Sequence, residues 1–487
     1  MLLSNLTPLY IMTSRVPLVV IKYDIKGVVD VLKKWLASSM FLSLLFPTMA
    51  FAAEAPTPEI LQYAIDGVWV MLAAILVIFM QAGFALLETG STRMKNAGHV
   101  AGKTILTFGI CAIVFWAFGF GIAFGEGNSI LGWKGFFFDG QASESYVLGT
   151  GVPLSIQFVF QLAFAGVALA IAWGGFAERA KLSVYFVFGA LFTALIYPFV
   201  AHWIWGGGWL AEHGKQDFAG STVVHLTGAT AALVATLLLK PRLGKYNKDG
   251  KPNQLPGHNQ VLSVLGVIIL WIGWLGFNPG STLTAVNDGF FGFVSLNTNL
   301  AAAAGAVAAL VVSWIYFGKA DIPSMLNGVL AALVAITASC AFVETWAAVV
   351  IGAVAGVLTF FTAQWFEKAG IDDPIYAFSV HGIAGMWGSL STGFFASERL
   401  VEIVGVGKPG LFYGGGLEQL GVQALGVAAC FLFVFVVSFV ILSIMKATMG
   451  LRVTEEEELV GLDLSEHGSY GYPEQMKKAG GDVSLQA

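Results

Sequence analysis

Eleven long apolar runs follow one another along this chain, near residues 66–90, 97–123, 153–176, 182–206, 218–240, 259–278, 293–317, 322–342, 345–366, 375–396 and 418–446. A helix needs about 20 such residues to cross a hydrocarbon core of about 30 Å. Lipid admits a spanning backbone only where its amides are bonded internally, which for runs of this length and continuity means α-helix. The expected fold is therefore an all-α polytopic membrane protein with 11 transmembrane helices. Charged residues make up only 11% of the chain and apolar ones 57%, against about 25% and about 45–50% in soluble domains. Little length is left for a soluble catalytic domain, and no basic patch with interleaved aromatics suggests a nucleic-acid surface.

Before the first run, Lys33 and Lys34 precede a short apolar stretch from Trp35 to Phe46, and Ala50-Phe51-Ala52 offers an A-x-A cleavage site. Residues 1–52 are thus expected to be an N-terminal extension and signal peptide, with translation starting near Val31; an uncleaved anchor helix is the alternative. Residues 53–449 would form the membrane domain and residues 450–487 a polar cytoplasmic tail. The three cysteines, Cys111, Cys340 and Cys430, lie in apolar stretches and are odd in number. Neither a disulfide framework nor a zinc site is expected from them.

Cleavage would leave the mature N-terminus outside, and an odd number of spans then leaves the tail inside. Basic residues agree: Arg93, Lys95, Lys103, Arg179, Lys181, Lys240, Arg242, Lys245, Lys248, Lys251, Lys319 and Lys368 fall on the predicted inner side, whereas Lys134, Lys215, Arg399 and Lys408 fall outside.

Within this frame, two histidines follow an aspartate at the same spacing: Asp217-Phe-Ala-Gly-Ser-Thr-Val-Val-His225 and Asp373-Pro-Ile-Tyr-Ala-Phe-Ser-Val-His381. Asp217 opens the fifth run from the outer side and Asp373 the tenth from the inner side, with Pro374 at its first helical position. That is the relation of two inverted five-helix repeats, with the eleventh helix added peripherally. Eight residues at about 1.5 Å each would carry each imidazole roughly 12 Å inward, to where the two rings could meet. An ionisable residue at that depth points to a functional site. Two other uses of such a pair are hydrogen bonding that merely stitches helices together and axial ligation of a haem. No haem-attachment motif, flavin fingerprint or HExxH sequence accompanies the pair, so no cofactor and no enzymatic activity are expected.

The segment around Asp217 and His225 closely resembles the ammonium transporter family (Amt/Mep/Rh). Similarity extends over almost the whole mature chain, through Phe160-Gln161-Leu-Ala-Phe164, Ala177-Glu178-Arg179, Trp205-Gly-Gly-Gly, Gly276-Phe277-Asn278-Pro-Gly-Ser281, Asp372-Asp373-Pro374, His381-Gly382 and Gly450-Leu-Arg452-Val. The resemblance implies a homotrimer in the cell's inner membrane, with a hydrophobic pore in each subunit and ammonium, ammonia and possible methylammonium as solutes. It assigns substrate recruitment to Trp205, Ser281 and Phe160, with Asp217 as the outer aspartate. The gate would be Phe164 and Phe277, and the pore line His225, His381 and Trp274. One departure is Leu87-Glu88-Thr89-Gly90, which sets a carboxylate near the inner mouth. A sensor of the same fold is an alternative to a transporter; the Rh branch also raises carbon dioxide, which Trp205 with Ser281 disfavours.

These residue types suit ammonium, which matches potassium in size and charge but carries N–H donors. An indole face attracts a cation by about 0.5–2 kcal/mol, and a serine oxygen can accept an N–H that potassium lacks. Without the resemblance, Trp205 would serve equally well as an interfacial belt aromatic, and each phenylalanine as packing. An ion entering the dry core faces a penalty of up to tens of kcal/mol. Releasing a proton costs an amine titrating a couple of units above neutrality only roughly 3 kcal/mol at pH 7. Two imidazoles sharing a proton can offer a donor and an acceptor to passing ammonia and relay a proton. For Asp217, two roles stand side by side: capping the fifth helix, worth about 0.5–2 kcal/mol, and attracting the cation.

The tail from Gly450 is acidic, with Glu455 to Glu458, Asp463, Glu466 and His467. Composition alone makes it a solvated tail. The resemblance makes it a segment that packs across the inner face against a neighbouring subunit, and makes the basic loop Lys240–His258 a docking region for a PII signal protein.

Overall fold

The computed structural model describes residues 56–473, apart from 142–144 and 150, and a few helical positions between 26 and 34. The expected cleavage site at Ala50–Ala52 lies outside the described residues, as does the expected leader apart from those few positions. Among those described, ten helices are long and apolar enough to cross a membrane. In chain order they are α1 (Pro58–Ser91), α2 (Met94–Phe124), α3 (Leu154–Phe176), α4 (Leu182–Glu212), α5 (Ser221–Leu239), α6 (Gln260–Thr282), α7 (Phe290–Phe317), α8 (Ile322–Ser339), α9 (Thr345–Lys368) and α11 (Glu418–Thr448). Between the last two lies α10, a π-helical turn Phe378–Ile383 continuing into Ala384–Phe395. The eleven segments agree with the eleven apolar runs, and the chain is a multi-pass membrane protein of all-helical fold.

Local chemistry sets several boundaries. The side chain of Asn259 accepts from the amide of Leu262 to start α6, and Asp321 does the same for Ser324 at α8, where Pro323 fits an early position needing no donor. Gly318 at φ +73° closes α7 in the left-handed conformation, which glycine enters without steric cost.

The first helices of the two halves lie almost backbone to backbone. A Cβ on Gly276 of α6 would sit 2.5 Å from Ala73 O of α1. Lipid provides no hydrophobic drive between helices, so such small-residue seams let dispersion and packing hold them. Helices α7 and α9 meet the same way, a Cβ on Gly356 falling 2.6 Å from Gly305 O. At the centre, α5 and α10 cross where a Cβ on Gly385 would stand 2.7 Å from Ser221 O.

The helix ends expected to face inward are tied by charge. Glu178 binds Arg93 Nε at 2.6 Å and lies 3.4 Å from Arg242, which in turn forks onto both oxygens of Asp372 at 2.8 and 2.7 Å. Burial alone would raise the Glu178 carboxyl, but the Arg242 and Arg93 guanidiniums outweigh it and hold it below the ordinary carboxylate range. Asp372 is likewise held low: burial opposes, while the Arg242 hydrogen bonds and charge, with Arg179 behind them, win.

The tail folds back onto this charged end of the chain. Lys181 N–H donates to Leu451 O and Val453 N–H to Arg179 O. Two short helices follow, α12 (Glu455–Val460) under a reciprocal Thr454–Glu457 capping box, and α13 (Leu462–His467). Asp463 accepts the amides of Gly98 and His99 at the start of α2, at 3.0 and 2.7 Å, and His467 Nε2 meets His99 Nδ1 at 3.0 Å.

Candidate functional site

Asp217 and Asp373 introduce their histidines by one shared device, and it differs in register from simple helical capping. Gly220 takes φ +113°, and the helix proper begins at Ser221 with a π-turn through Leu226. The Asp217 carboxylate reaches forward to accept N–H bonds from Gly220 (3.2 Å), Thr222 (2.9 Å) and Val223 (2.9 Å). Asp373 reaches five residues on to the Phe378 amide at 2.8 Å, again where a π-turn begins. Pro374 therefore lies in the turn before α10, with Tyr376 at φ +58° between them, and does not occupy the first helical position. Each histidine stands inside its π-turn, four or five positions into the helix, so non-helical chain covers part of the expected eight-residue descent. The wider turn re-aims side chains that an α-helix would carry around the axis.

The two rings do meet. His225 and His381 face each other with Nδ1 to Nδ1 at 3.3 Å, centroids 5.3 Å apart and planes 17° from parallel. One proton bridges such a contact. The ring that donates it keeps an acceptor at Nε2 and the ring that accepts it keeps a donor there. His225 is fully buried, and its Nε2 has no hydrogen-bond partner among the described residues. An ion bonded to both facing nitrogens would hold them about 4 Å apart at ordinary metal–imidazole lengths, so the contact is a hydrogen bond and does not fit haem ligation. Trp274 stacks on His225 at 5.3 Å and 15°, and its indole N–H is fixed on Thr337 Oγ1 at 2.8 Å.

Outward of the pair, aromatic rings form a continuous column. Phe277 lies 5.5 Å from His225, and Phe164 stacks on Phe277 at 4.1 Å and 26°. Both phenylalanines are buried and meet face to face across the line leading to the imidazoles. Phe160 follows at 4.6 Å from Phe164, and Trp205 at 5.9 Å meets Phe164 edge-on. The half-buried Trp205 is held by its N–H on Asp217 O at 2.8 Å, so its ring cannot swing freely. Half-buried Ser281 donates to Phe277 O at 2.8 Å, which uses its proton and leaves the oxygen lone pairs to accept.

Inward, His381 opens onto a cavity of about 340 Å³ whose wall includes Phe84, Glu88, Tyr376, Lys245 and Glu367. Glu88, the carboxylate expected near the inner mouth, is there but is ion-paired with Lys103 of α2 inside the protein.

All nine residues singled out in the sequence thus form one chain of contacts: Trp205, Phe160, Phe164, Phe277, Trp274, His225, His381 and, through backbone carbonyls, Ser281 on Phe277 and Asp217 under the Trp205 indole. The Asp217 side chain itself is buried with its oxygens turned onto amides, the arrangement of its capping role. The sequence placed Lys103 only as an inner-side charge and did not reveal its pairing with Glu88 between helices, nor Thr337, which fixes Trp274. Sequence reasoning passed over Gln419 and Gln423, although two glutamines four apart in an apolar run were a visible signal.

The profile of the Ammonium Transporter Family matches residues 68–472. Ammonium transporter Amt2 of Archaeoglobus fulgidus is 44% identical over 422 residues, covering 84% of this chain and 88% of that protein. The ammonium transporter of Bacillus subtilis is 39% identical, with 84% and 99% covered. Among solved structures, one described as a sensor Amt protein superposes with a TM-score of 0.78 at 37% identity over 84% of this chain and 99% of that one, and Candida albicans Mep2 with 0.76 at 30% identity over 88% and 95%.

Proposed function

The chain belongs to the ammonium transporter family, and we propose on that premise that it moves ammonium by capturing the cation at one mouth, removing its proton and passing ammonia along the buried column that ends at His225 and His381. The observation that carries this reading is the facing pair of imidazoles in an otherwise apolar, ring-lined interior.

The cation rests against the Trp205 face and donates to Ser281, with Phe160 beneath. Potassium matches the charge but cannot supply the N–H, so this mouth favours ammonium. Phe164 and Phe277 keep the next step dry, which makes the bare ion costly and the neutral amine cheap to pass. Beyond them, the free Nε2 positions offer ammonia a donor on one ring and an acceptor on the other. Trp274, pinned by Thr337, holds the His225 ring in plane. The inner cavity then returns the solute to water.

The recruitment mouth faces outside, the mature N-terminus with it, and the tail lies in the cytoplasm of a cell whose inner membrane holds the protein as a homotrimer. Residues 1–52 act as the leader, 53–449 as the membrane domain and 450–487 as the tail. The inner face, with its basic loop from Lys240 to His258, is the surface for a PII-type regulator. The likeness to a structure described as a sensor supports a second use, in which solute occupancy is reported through the tail.

Currents on solid-supported membranes, driven by ammonium and potassium pulses, test the central reading. Replacing both histidines by alanine abolishes ammonium flux or admits potassium; a double variant that transports ammonium at the wild-type rate and still excludes potassium overturns it. A PII pull-down from the host and truncation after Leu451 test the two inner-face assignments separately.

A further inference from the structure

Helix α11 stands outside the two five-helix repeats, yet one of its side chains closes a ring of hydrogen bonds around the outer end of α5. Gln423 is fully buried. Its Oε1 accepts the Gln216 amide at 2.9 Å, while its Nε2 donates to Gln216 O at 2.7 Å and to Ser389 O of α10 at 2.6 Å. Ser389 Oγ meets Thr222 Oγ1 of α5 at 2.5 Å, and the Thr222 amide is one of those held by Asp217, the neighbour of Gln216 in sequence. The circuit runs Gln216, Gln423, Ser389, Thr222, Asp217 and back to Gln216. One turn away, Gln419 takes Gly214 O at 3.1 Å and accepts the Lys408 amide at 2.8 Å, extending the grip along the segment entering α5.

We propose that Gln423 is a positioning residue for transport, setting the register of α5 against α10 and with it the separation of the two imidazoles. The physical reason is geometric. Thr222 lies in the same π-turn as His225, three residues before it, and Ser389 lies eight residues after His381 on the same continuous helix. A helix transmits an axial shift along its length without absorbing it. The α5–α10 crossing at Gly385 is already in backbone contact, so it permits sliding but not approach. The ring opposes sliding of α5 against α10 directly, because its Gln423–Ser389 and Ser389–Thr222 bonds join different helices, whereas Ser221, bonded to Val334 O and the Ala338 amide, ties α5 to α8 and not to α10. In hydrocarbon surroundings the displaced groups have no water to turn to. A histidine contact at 3.3 Å tolerates little such motion before the shared proton is lost, and displacement of about 1 Å in a reacting site can cost about a hundredfold in rate.

The inference rests on the imidazole-pair reading of the pore, and its test keeps the two apart. Gln423→Met preserves volume and removes every bond of the side chain. In proteoliposomes, its maximal ammonium current is expected to fall about tenfold or more, while half-saturation, governed by the Trp205 mouth, moves less than about twofold. Placed in the His225→Ala, His381→Ala background and read on the ammonium or potassium current which that background still carries, Gln423→Met is expected to add no further loss, because residues acting through one element are not additive; where that background carries no current, the split between maximal current and half-saturation in the single variant decides. Wild-type maximal current in Gln423→Met overturns the proposal, as does an equal fractional loss in the histidine-free background, which marks general destabilisation. If the histidine-free protein itself transports like the wild type, the pore reading fails first. Should Gln423→Met not assemble, Ser389→Ala, which cuts only the link to Thr222, carries the test: a fall of about threefold or more in maximal current at unchanged half-saturation supports the ring, and an unchanged current overturns it.

Discussion

The outer and inner ends of this molecule are held by different forces. At the end of α5 opposite the charge-tied helix ends, amides, hydroxyls and aromatic rings close on one buried carboxylate, Asp217, which has three amide partners and, among the described residues, no salt-bridge partner, buried Lys215 lying near it without an ion-pair contact. At the inner end, guanidinium, ammonium and carboxylate groups interlock: Glu178 with Arg93 and Arg242, Arg242 with Asp372, Lys245 with Glu367, Arg452 with Glu458. The aspartates that introduce the two histidines express the same contrast. Asp217 is sealed, whereas Asp373 holds the Phe378 amide with one oxygen and leaves Oδ1 without a partner beside the inner cavity. A repeat can thus preserve backbone geometry while its two copies are packed differently: one carboxylate closed over by amides, the other open to a cavity walled partly by ion-paired residues.

The largest effect is expected where the inner lattice loses its hub. Arg242→Met leaves Asp372 and part of Glu178 buried without their counter-charge, and breaking a buried pair from one side costs about 3–5 kcal/mol. Its pH dependence has a definite sign. Both carboxyls titrate below their ordinary range in the folded protein, so they add stability above about pH 4 and lose it as pH falls through their depressed values. Thermal unfolding in detergent should show the variant far below the wild type at neutral pH and the gap narrowing in acid. A gap that stays constant with pH would mean that charge does not hold this end.

Next is Asp217→Ala, which removes three amide bonds to a charged acceptor inside the protein. Bonds of that kind are worth roughly 1.5–3 kcal/mol singly and are not additive, so a net loss of roughly 2–3 kcal/mol is expected. Asp217→Asn keeps an acceptor oxygen and should recover most of the stability. If transport recovers with it, capping is the whole role of this residue; if stability recovers but half-saturation by ammonium rises, its charge also acts on the cation. The matching Asp373→Ala gives up one amide bond and should cost only about 1–2 kcal/mol. Equal losses for the two aspartates would erase the contrast between sealed and open ends.

Much of this was legible in the sequence because lipid narrows the choices. The eleven spans followed from apolar length, and the histidine meeting from the shared Asp-x7-His spacing on inversely related runs. The phenylalanines and Trp205 became a column only through family resemblance, since any of thirty-nine phenylalanines could pack a helix seam. The route taken by the chain before each histidine was not legible: a π-turn depends on where an acceptor five or six residues back can reach, which periodicity does not encode. The partnership of Glu88 with Lys103 and the circuit through Gln423 were hidden for a related reason. Both join residues on different helices, and their rotation about the helix axes is set by packing.

The smallest effect tests whether the tail belongs with the inner lattice or merely lies on it. His467 is exposed and contributes one bond, to buried His99, while Asp463 beside it holds three amides, those of Gly98, His99 and Gly471. His467→Ala should therefore cost about 1 kcal/mol, the worth of one hydrogen bond, because water entering at the vacated exposed position can take its place on His99 Nδ1. Asp463→Ala should release α13, visible as faster protease cleavage between Gly450 and Tyr472 with the membrane helices still intact. If the tail is part of the ionic lattice, cleavage in Asp463→Ala should also lower the melting temperature of the membrane domain, because Glu458, one short helix upstream, grips Arg452 and the Leu243 amide beside Arg242. An unchanged melting temperature after that cleavage would place the lattice in the loops alone, with the tail as a separable cover.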